Sequence, residues 1–171
     1  MSAPSSLAFV AGEASGDLLA AGVLAELKRR DPSLALAGVG GDRMIAAGLD
    51  AWEHVRALSV RGYVEVIRHL PRLLRLRGDL LRRITDLRPQ AFVGVDAPDF
   101  NLGLEEKLRA RGVRVVHMVS PSVWAWRRER MEQVRRAVDR MLLIFPFEQA
   151  LYDQAGVPAT YVGHPLAAMI P

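Results

Sequence analysis

The residues best suited to proton transfer lie in Val95-Asp96-Ala97-Pro98-Asp99-Phe100-Asn101, where a buried apolar run opens into a polar turn. An aspartate at such a junction is partly desolvated, and desolvation tunes a carboxyl for work as a general base on an alcohol. Asp96 is the candidate for that role. Asp99 and Asn101 are strong N-caps for a helix beginning near Leu102, and one of them is assigned that structural task. Three other turns carry unusual chemistry. In Gly12-Glu13-Ala14-Ser15-Gly16-Asp17, two glycines permit a tight strand-to-helix turn whose free amides suit an anion. Ser15 or Asp17 serves equally well there as a helix cap. This is not the G-x-G-x-x-G fingerprint, and no Walker lysine follows. Gly38-Val39-Gly40-Gly41-Asp42 allows close backbone approach to a ligand or to another element, or is a plain turn. Ser120-Pro121-Ser122-Val123-Trp124-Ala125-Trp126-Arg127-Arg128 places two of the three tryptophans beside serines and arginines. Aromatic faces stack on sugar rings and arginine pairs with phosphate; alternatively the tryptophans pack a helix onto the sheet. His117, inside an apolar run, reads as a core histidine, and no His/Asp/Glu spacing makes a metal site.

These turns need a scaffold that brings them together. Short β-branched runs at Leu7–Ala11, Leu34–Val39, Ala91–Val95, Arg114–Val119, Met141–Phe145 and Thr160–Val162 alternate with helical patterns at Leu18–Arg29, Val64–Leu87, Leu102–Arg111, Arg127–Val138 and Phe147–Asp153. Strands alternating with helices predict an α/β fold, a Rossmann-like doubly wound parallel sheet, with ligands at the carboxyl ends of its strands. Pro71 suits a first helical turn better than an interior, so the long pattern is expected as two segments or one kinked helix. Val66, Leu70, Leu73, Leu80, Ile84 and Leu87 share one face of it, and Arg68, Arg72, Arg75 and Arg82 another.

Length bounds the chain to one domain, residues 1–171, with room for a sizeable core. Cysteine is absent, so disulfides and thiolate metal sites are excluded. Neither a signal core nor a run of roughly 18–20 apolar residues is present, and a cytoplasmic location is expected. Charge is unevenly placed. Between Arg56 and Arg88, nine arginines face Glu65, Asp79 and Asp86, a local +6 in a chain whose total is +4. Such a block suits phosphate, nucleic acid or an anionic membrane, or is simply a solvated helix face. Nucleic acid is the weakest of these, because the arginines follow an apolar helix without interleaved aromatics.

At the same turns the sequence resembles the lipid-A-disaccharide synthase family. The matching phrases are Ala11-Gly12-Glu13-Ala14-Ser15-Gly16-Asp17, Gly38-Val39-Gly40-Gly41, Val93 to Asn101, Val119 to Arg127, Pro146-Phe147-Glu148 and Val162-Gly163-His164-Pro165-Leu166, in family order over nearly the whole chain. The resemblance implies the N-terminal, acceptor domain of a GT-B fold. It also implies an inverting transfer of 2,3-diacylglucosamine from UDP to 2,3-diacylglucosamine 1-phosphate, giving lipid A disaccharide 1-phosphate and UDP. UDP-sugar is a substrate there and no metal or other cofactor is expected.

By the resemblance, Asp96 matches the essential aspartate and Ser15, Gly16 and Asp17 the glycine-rich acceptor loop. Gly40, Gly41, Asp99, Asn101, Ser120, Ser122, Trp124 and Arg127 are further expected substrate contacts. Val66, Ile67, Arg68, Leu70, Arg72, Leu73, Leu74 and Arg75 match a membrane-docking patch, with leucines entering the acyl boundary and arginines meeting headgroups. The expected partners are a lipid-linked glucosamine 1-phosphate, a UDP-diacylglucosamine donor and the inner face of a bacterial inner membrane, with no nucleic acid. Family members are about twice this length, so the C-terminal donor domain is expected to be missing and the isolated chain to show little or no transfer. The alternative of a different class is a non-catalytic lipid- or membrane-associating module.

Overall fold

The computed structural model describes residues 5–58, 63–121 and 128–164, and the side chains of all of these except 63–68 and 128. Seven strands, Ser6–Ala11 (β1), Ala35–Gly40 (β2), Asp50–His54 (β3), Ala91–Val95 (β4), Val115–Met118 (β5), Arg140–Leu143 (β6) and Ala159–Tyr161 (β7), pair in parallel in the order β3-β2-β1-β4-β5-β6-β7. The described helices are Ala14–Arg30 (α1), Asp42–Ala46 (α2), Tyr63–Leu87 (α3), Pro98–Arg109 (α4), Arg128–Ala137 (α5) and Glu148–Ala155 (α6).

The central strands are apolar at nearly every position because both of their faces are covered. Ala8 and Val10 of β1 pack with Phe92, Leu80, Ile84, Leu102, Leu108, Val134 and Tyr152, under α3 to α6. Phe9 and Ala11 pack the opposite way with Leu24, Leu36, Met44 and Val95, under α1 and α2. This is the doubly wound sheet that the strand–helix alternation predicts. Its order reverses between β1 and β4, so the chain leaves those two neighbours toward opposite faces, and the carboxyl ends of such a pair are where a doubly wound sheet has its ligand crevice.

Two elements have no counterpart in the sequence pattern. β3 is an edge strand of mixed polarity, so it carries no continuous apolar run. Helix α2 is five residues long, too short for helical periodicity, and a distant side chain holds its first turn. Asp17 of α1 is 6% exposed and accepts from the amides of Gly41 (2.7 Å) and Met44 (3.0 Å) through Oδ1 and of Arg43 (3.2 Å) through Oδ2. A carboxylate facing several free amides at a helix start satisfies them and the helix dipole at once.

Helix α1 itself begins after Glu13 with no side-chain cap, so neither Ser15 nor Asp17 has the capping role considered for them there. Both lie inside its first turn. Helix α4 starts at Pro98, four residues ahead of Leu102, with Ala97 as its uncapped entry. Asp99 and Asn101 are therefore interior residues and not N-caps. Proline at the first position pre-sets the helical φ and has no amide to satisfy, so the helix can start earlier than a polar cap would mark.

Helix α3 runs as one helix through Pro71, so of the two expected readings the two-segment one falls. Pro71 is exposed, so the carbonyl it leaves without an amide partner can be hydrated. The far half of α3 is anchored by Leu80 and Ile84, both within 1% of full burial. Its base also meets the sheet edge where the Arg83 guanidinium lies 4.5 Å from the Trp52 ring centre. The near half is different. Leu70 and Leu74 are 47% and 48% exposed, beside exposed Arg72 and Arg75, while Leu73 is half-buried. The side chains of Val66, Ile67 and Arg68 lie outside the described residues.

Replacing Asp17 by alanine strands three amides at the start of α2. Urea unfolding of Asp17→Ala is expected to show a loss of about 2–3 kcal/mol, with Asp17→Asn intermediate.

Candidate functional site

Only Asp96 and Ala97 separate β4 from α4, and both adopt left-handed backbone, with φ of 55° and 44°. Left-handed geometry in a non-glycine residue costs about 1–3 kcal/mol and persists where surrounding contacts enforce it. The enforcing contacts are visible. The Asp96 amide donates to the Met118 carbonyl of β5 at 2.9 Å. The Asn101 Nδ2 is fully buried under the elbow and donates to the carbonyls of Asp96 (2.9 Å), Val10 (3.2 Å) and Val95 (3.4 Å). Asn101 thus pins the ends of β1 and β4 together. The structure gives it this internal role and leaves no side-chain surface for a substrate contact.

The same elbow explains the glycines after β1. A Cβ at Gly12 would stand 2.1 Å from that of Ala97, and one at Gly16 would stand 3.2 Å from the Val95 carbonyl oxygen. Without side chains, the first turn of α1 closes onto the elbow. Ser15 then donates its hydroxyl to Asp96 Oδ2 at 3.2 Å, while Oδ1 accepts from the Ala97 amide at 2.9 Å. Asp96 is half-buried and Ser15 exposed. A carboxylate with one oxygen held by its own backbone and the other by a surface hydroxyl is oriented, open to the crevice, and able to take a proton.

The other expected site residues divide. At Gly40 the space for a side chain is taken by Leu49 and Met44, and at Gly41 by the Asp17 carboxyl, 2.6 Å from a would-be Cβ. Those glycines serve internal packing. Asp99 lies on the exposed side of α4, where both terminal nitrogens of Arg130 contact its Oδ1 at 2.9 Å. His117 is a core histidine, fully buried, with Nδ1 2.6 Å from Glu105 Oε1. Ser122, Trp124 and Arg127 lie outside the described residues.

Ser120 is placed beside the elbow, two residues beyond Met118, which is in register with Val95. The residue between them, Val119, has φ of 76°, a conformation that a β-branched side chain rarely adopts. Ser120 Oγ lies 2.8 Å from the Tyr152 hydroxyl and 2.9 Å from the Pro121 carbonyl. Tyr152 is fully buried, and burial, against a partial offset from Ser120, pushes its hydroxyl up to about 12. Glu148, one turn earlier on α6, is 2% exposed; burial raises its carboxyl, and the neighbouring Ser120 hydroxyl and the Phe145 backbone oppose the rise. Sequence reasoning did not select Glu148 or Tyr152 as site residues. The available signal was a glutamate immediately after an apolar strand and a proline, with a tyrosine at i+4 on the same helix face.

The carboxyl edge of β1, β4, β5 and β6 therefore gathers Ser15, Asp96, Ser120 and Glu148. Among the described residues no group of three or more His, Cys, Asp or Glu could hold a metal ion, and no helix is long and apolar enough to cross a membrane.

Comparison with known proteins adds to this picture. The lipid-A-disaccharide synthetase family profile matches residues 7–171. The lipid-A-disaccharide synthase of Bordetella petrii is 56% identical over 166 residues, covering 97% of this chain and 42% of its own length. That of Thiobacillus denitrificans is 54% identical over 162 residues, covering 95% of this chain and 44% of its own length. The chain thus spans less than half the length of these relatives. Among solved structures, Acinetobacter baumannii MurG matches with a TM-score of 0.55 at 12% identity, over 84% of this chain and 42% of MurG. A UGT transferase from Siraitia grosvenorii, in complex with UDP, matches with a TM-score of 0.59 at 12% identity, over 93% of this chain and 51% of its own. These likenesses show the fold: one Rossmann-like half of a GT-B architecture.

The raised Tyr152 hydroxyl has a consequence for stability. Its contribution is fully present below its ordinary value of 10.0 and is lost as pH rises toward about 12, because the unfolded chain ionises first. Across that window the thermal midpoint of Tyr152→Phe is expected to fall less steeply than that of the unaltered chain.

Proposed function

Because the chain belongs to the lipid-A-disaccharide synthetase family, we propose that it is the acceptor-binding half of an inverting glycosyltransferase. The reaction in this reading moves 2,3-diacylglucosamine from UDP to 2,3-diacylglucosamine 1-phosphate and yields lipid A disaccharide 1-phosphate and UDP. The observation that carries it is the Asp96 elbow at the strand-order reversal. There, a half-buried carboxylate is oriented by Ser15 and Ala97 and left open toward the crevice. As the acceptor 6-hydroxyl attacks the anomeric carbon of the donor, Asp96 takes its proton. The carbon–oxygen bond to UDP breaks on the opposite face, so configuration inverts and UDP leaves with the bonding electrons. No metal takes part in this scheme, and the donor sugar-nucleotide is held chiefly by a C-terminal domain of the kind that the longer relatives have room for.

A lipid-borne acceptor has to be met at a membrane surface. The near half of α3 suits that task, with Leu70 and Leu74 exposed beside Arg72 and Arg75. Apolar side chains entering the acyl boundary and arginines meeting anionic headgroups would hold the protein on the cytoplasmic face of a bacterial inner membrane. The same face favours the second reading, a membrane-associating module without catalysis.

Two measurements separate the readings. With the C-terminal domain of a relative supplied, Asp96→Ala is expected to lower turnover by roughly 10²–10⁴-fold while vesicle binding stays unchanged. Unchanged turnover would leave only the module. Replacing Leu70 and Leu74 together by serine is expected to weaken binding to anionic vesicles by at least about tenfold without loss of fold. Undiminished sedimentation with vesicles would remove α3 from the membrane contact.

A further inference from the structure

Three carboxylates with more than nine-tenths of their surface buried lie in the described core: Asp17, Glu105 and Glu148. Two have evident internal partners, the α2 amides for Asp17 and His117 for Glu105. Glu148 differs in its place. Among the described residues its Oε2, like that of Glu105, is buried without a hydrogen-bond partner, but Glu148 has no buried cationic or imidazole partner and stands on the carboxyl edge of the sheet, where α6 begins beyond β6. Its carboxyl instead lies against the Ser120 hydroxyl, which also faces Tyr152 at 2.8 Å. Burying a carboxyl with an idle oxygen is costly, and at the ligand-facing edge of the sheet a role in orienting the adjacent Ser120 hydroxyl accounts for that cost.

We infer that Glu148 is a positioning residue for Ser120: with Tyr152 it fixes the direction of the Ser120 hydroxyl, which meets an oxygen of the acceptor's sugar or phosphate in the crevice beside Asp96. This rests on the acceptor-domain reading above. The stereochemistry is simple. A serine hydroxyl has one proton and two lone pairs. Three neighbours compete for them: the Pro121 carbonyl, the Tyr152 hydroxyl and the Glu148 carboxyl. Tyr152 can donate to Ser120, and burial favours its protonated form. The Glu148 carboxyl then decides whether the Ser120 proton is drawn inward or left for a ligand oxygen. Glu148 is itself too buried to touch substrate, so its effect passes through Ser120. The elbow supplies proximity, since the Asp96 amide bonds to Met118, two residues before Ser120.

The test is steady-state kinetics with the chain paired with a relative's C-terminal domain, reading KM for diacylglucosamine 1-phosphate and kcat separately. Ser120→Ala and Glu148→Ala are each expected to raise that KM by about tenfold, the loss of one hydrogen bond to a charged or strongly polar group. The double variant is expected to be little worse than either single one, because the two act as a unit. Glu148→Gln keeps a partner for Ser120 and is expected to return KM to within about threefold of the unaltered protein. Should Glu148→Ala fail to fold, Glu148→Met keeps the volume and removes the hydrogen bond, and carries the same comparison. Additive effects, or a folded Glu148 variant with unchanged KM, would overturn the inference. Asp96→Ala in the same assay separates this failure from that of the functional reading. If it leaves turnover intact the acceptor-domain reading falls; if it abolishes turnover while Glu148 proves silent, only the positioning role falls.

Discussion

The structure depends on one close approach, between the first turn of α1 and the elbow that joins β4 to α4. Strand order reverses at that point, so two consecutive units of the sheet turn away from each other and would leave a loose gap. Gly12 and Gly16 let backbone meet backbone there, and Asn101 ties the ends of β1 and β4 from beneath. Because that contact has no slack, Asp96 and Ala97 are forced into left-handed backbone and the Asp96 carboxyl is held against Ser15. Strain, close packing and an open carboxylate are consequences of a single constraint.

Buried charge follows the same economy of position. Asp17 joins α1 to α2, and Glu105 joins α4 to β5 through His117. Each links two elements that share no backbone hydrogen bonds with one another. Glu148 is the third buried carboxylate; its Oε2, like that of Glu105, has no hydrogen-bond partner among the described residues, and of the two it is Glu148 that stands on the carboxyl edge of the sheet.

Helix α3 serves two surroundings. Its far half is core, through Leu80 and Ile84, while toward its start Leu70 of the same face is exposed, as is Leu74, which lies off that face. An amphipathic pattern marks one apolar face along the whole helix. Where that face stops meeting protein depends on what the fold places opposite it, which no periodicity records.

The amino-acid sequence by itself determined the layered α/β architecture, the positions of β1, β2, β4, β5, β6 and β7, and Asp96 as the residue at the mouth of a buried strand. Short-range physics suffices for these: apolar runs demand burial, and a polar residue ending such a run must face an edge. Elements held by distant partners were illegible. β3 gains its place only as a neighbour of β2, and α2 through the carboxylate of Asp17, 24 residues before Gly41. Asn101 has the composition of a cap and became an internal pin, because Pro98 started the helix early. Glu148 carried no local sign of burial. Tertiary structure alone decided that two adjacent turns would touch, which polar groups would lose water and which leucines would keep it, since each of these depends on what the folded chain places opposite a residue and not on the residues beside it in sequence.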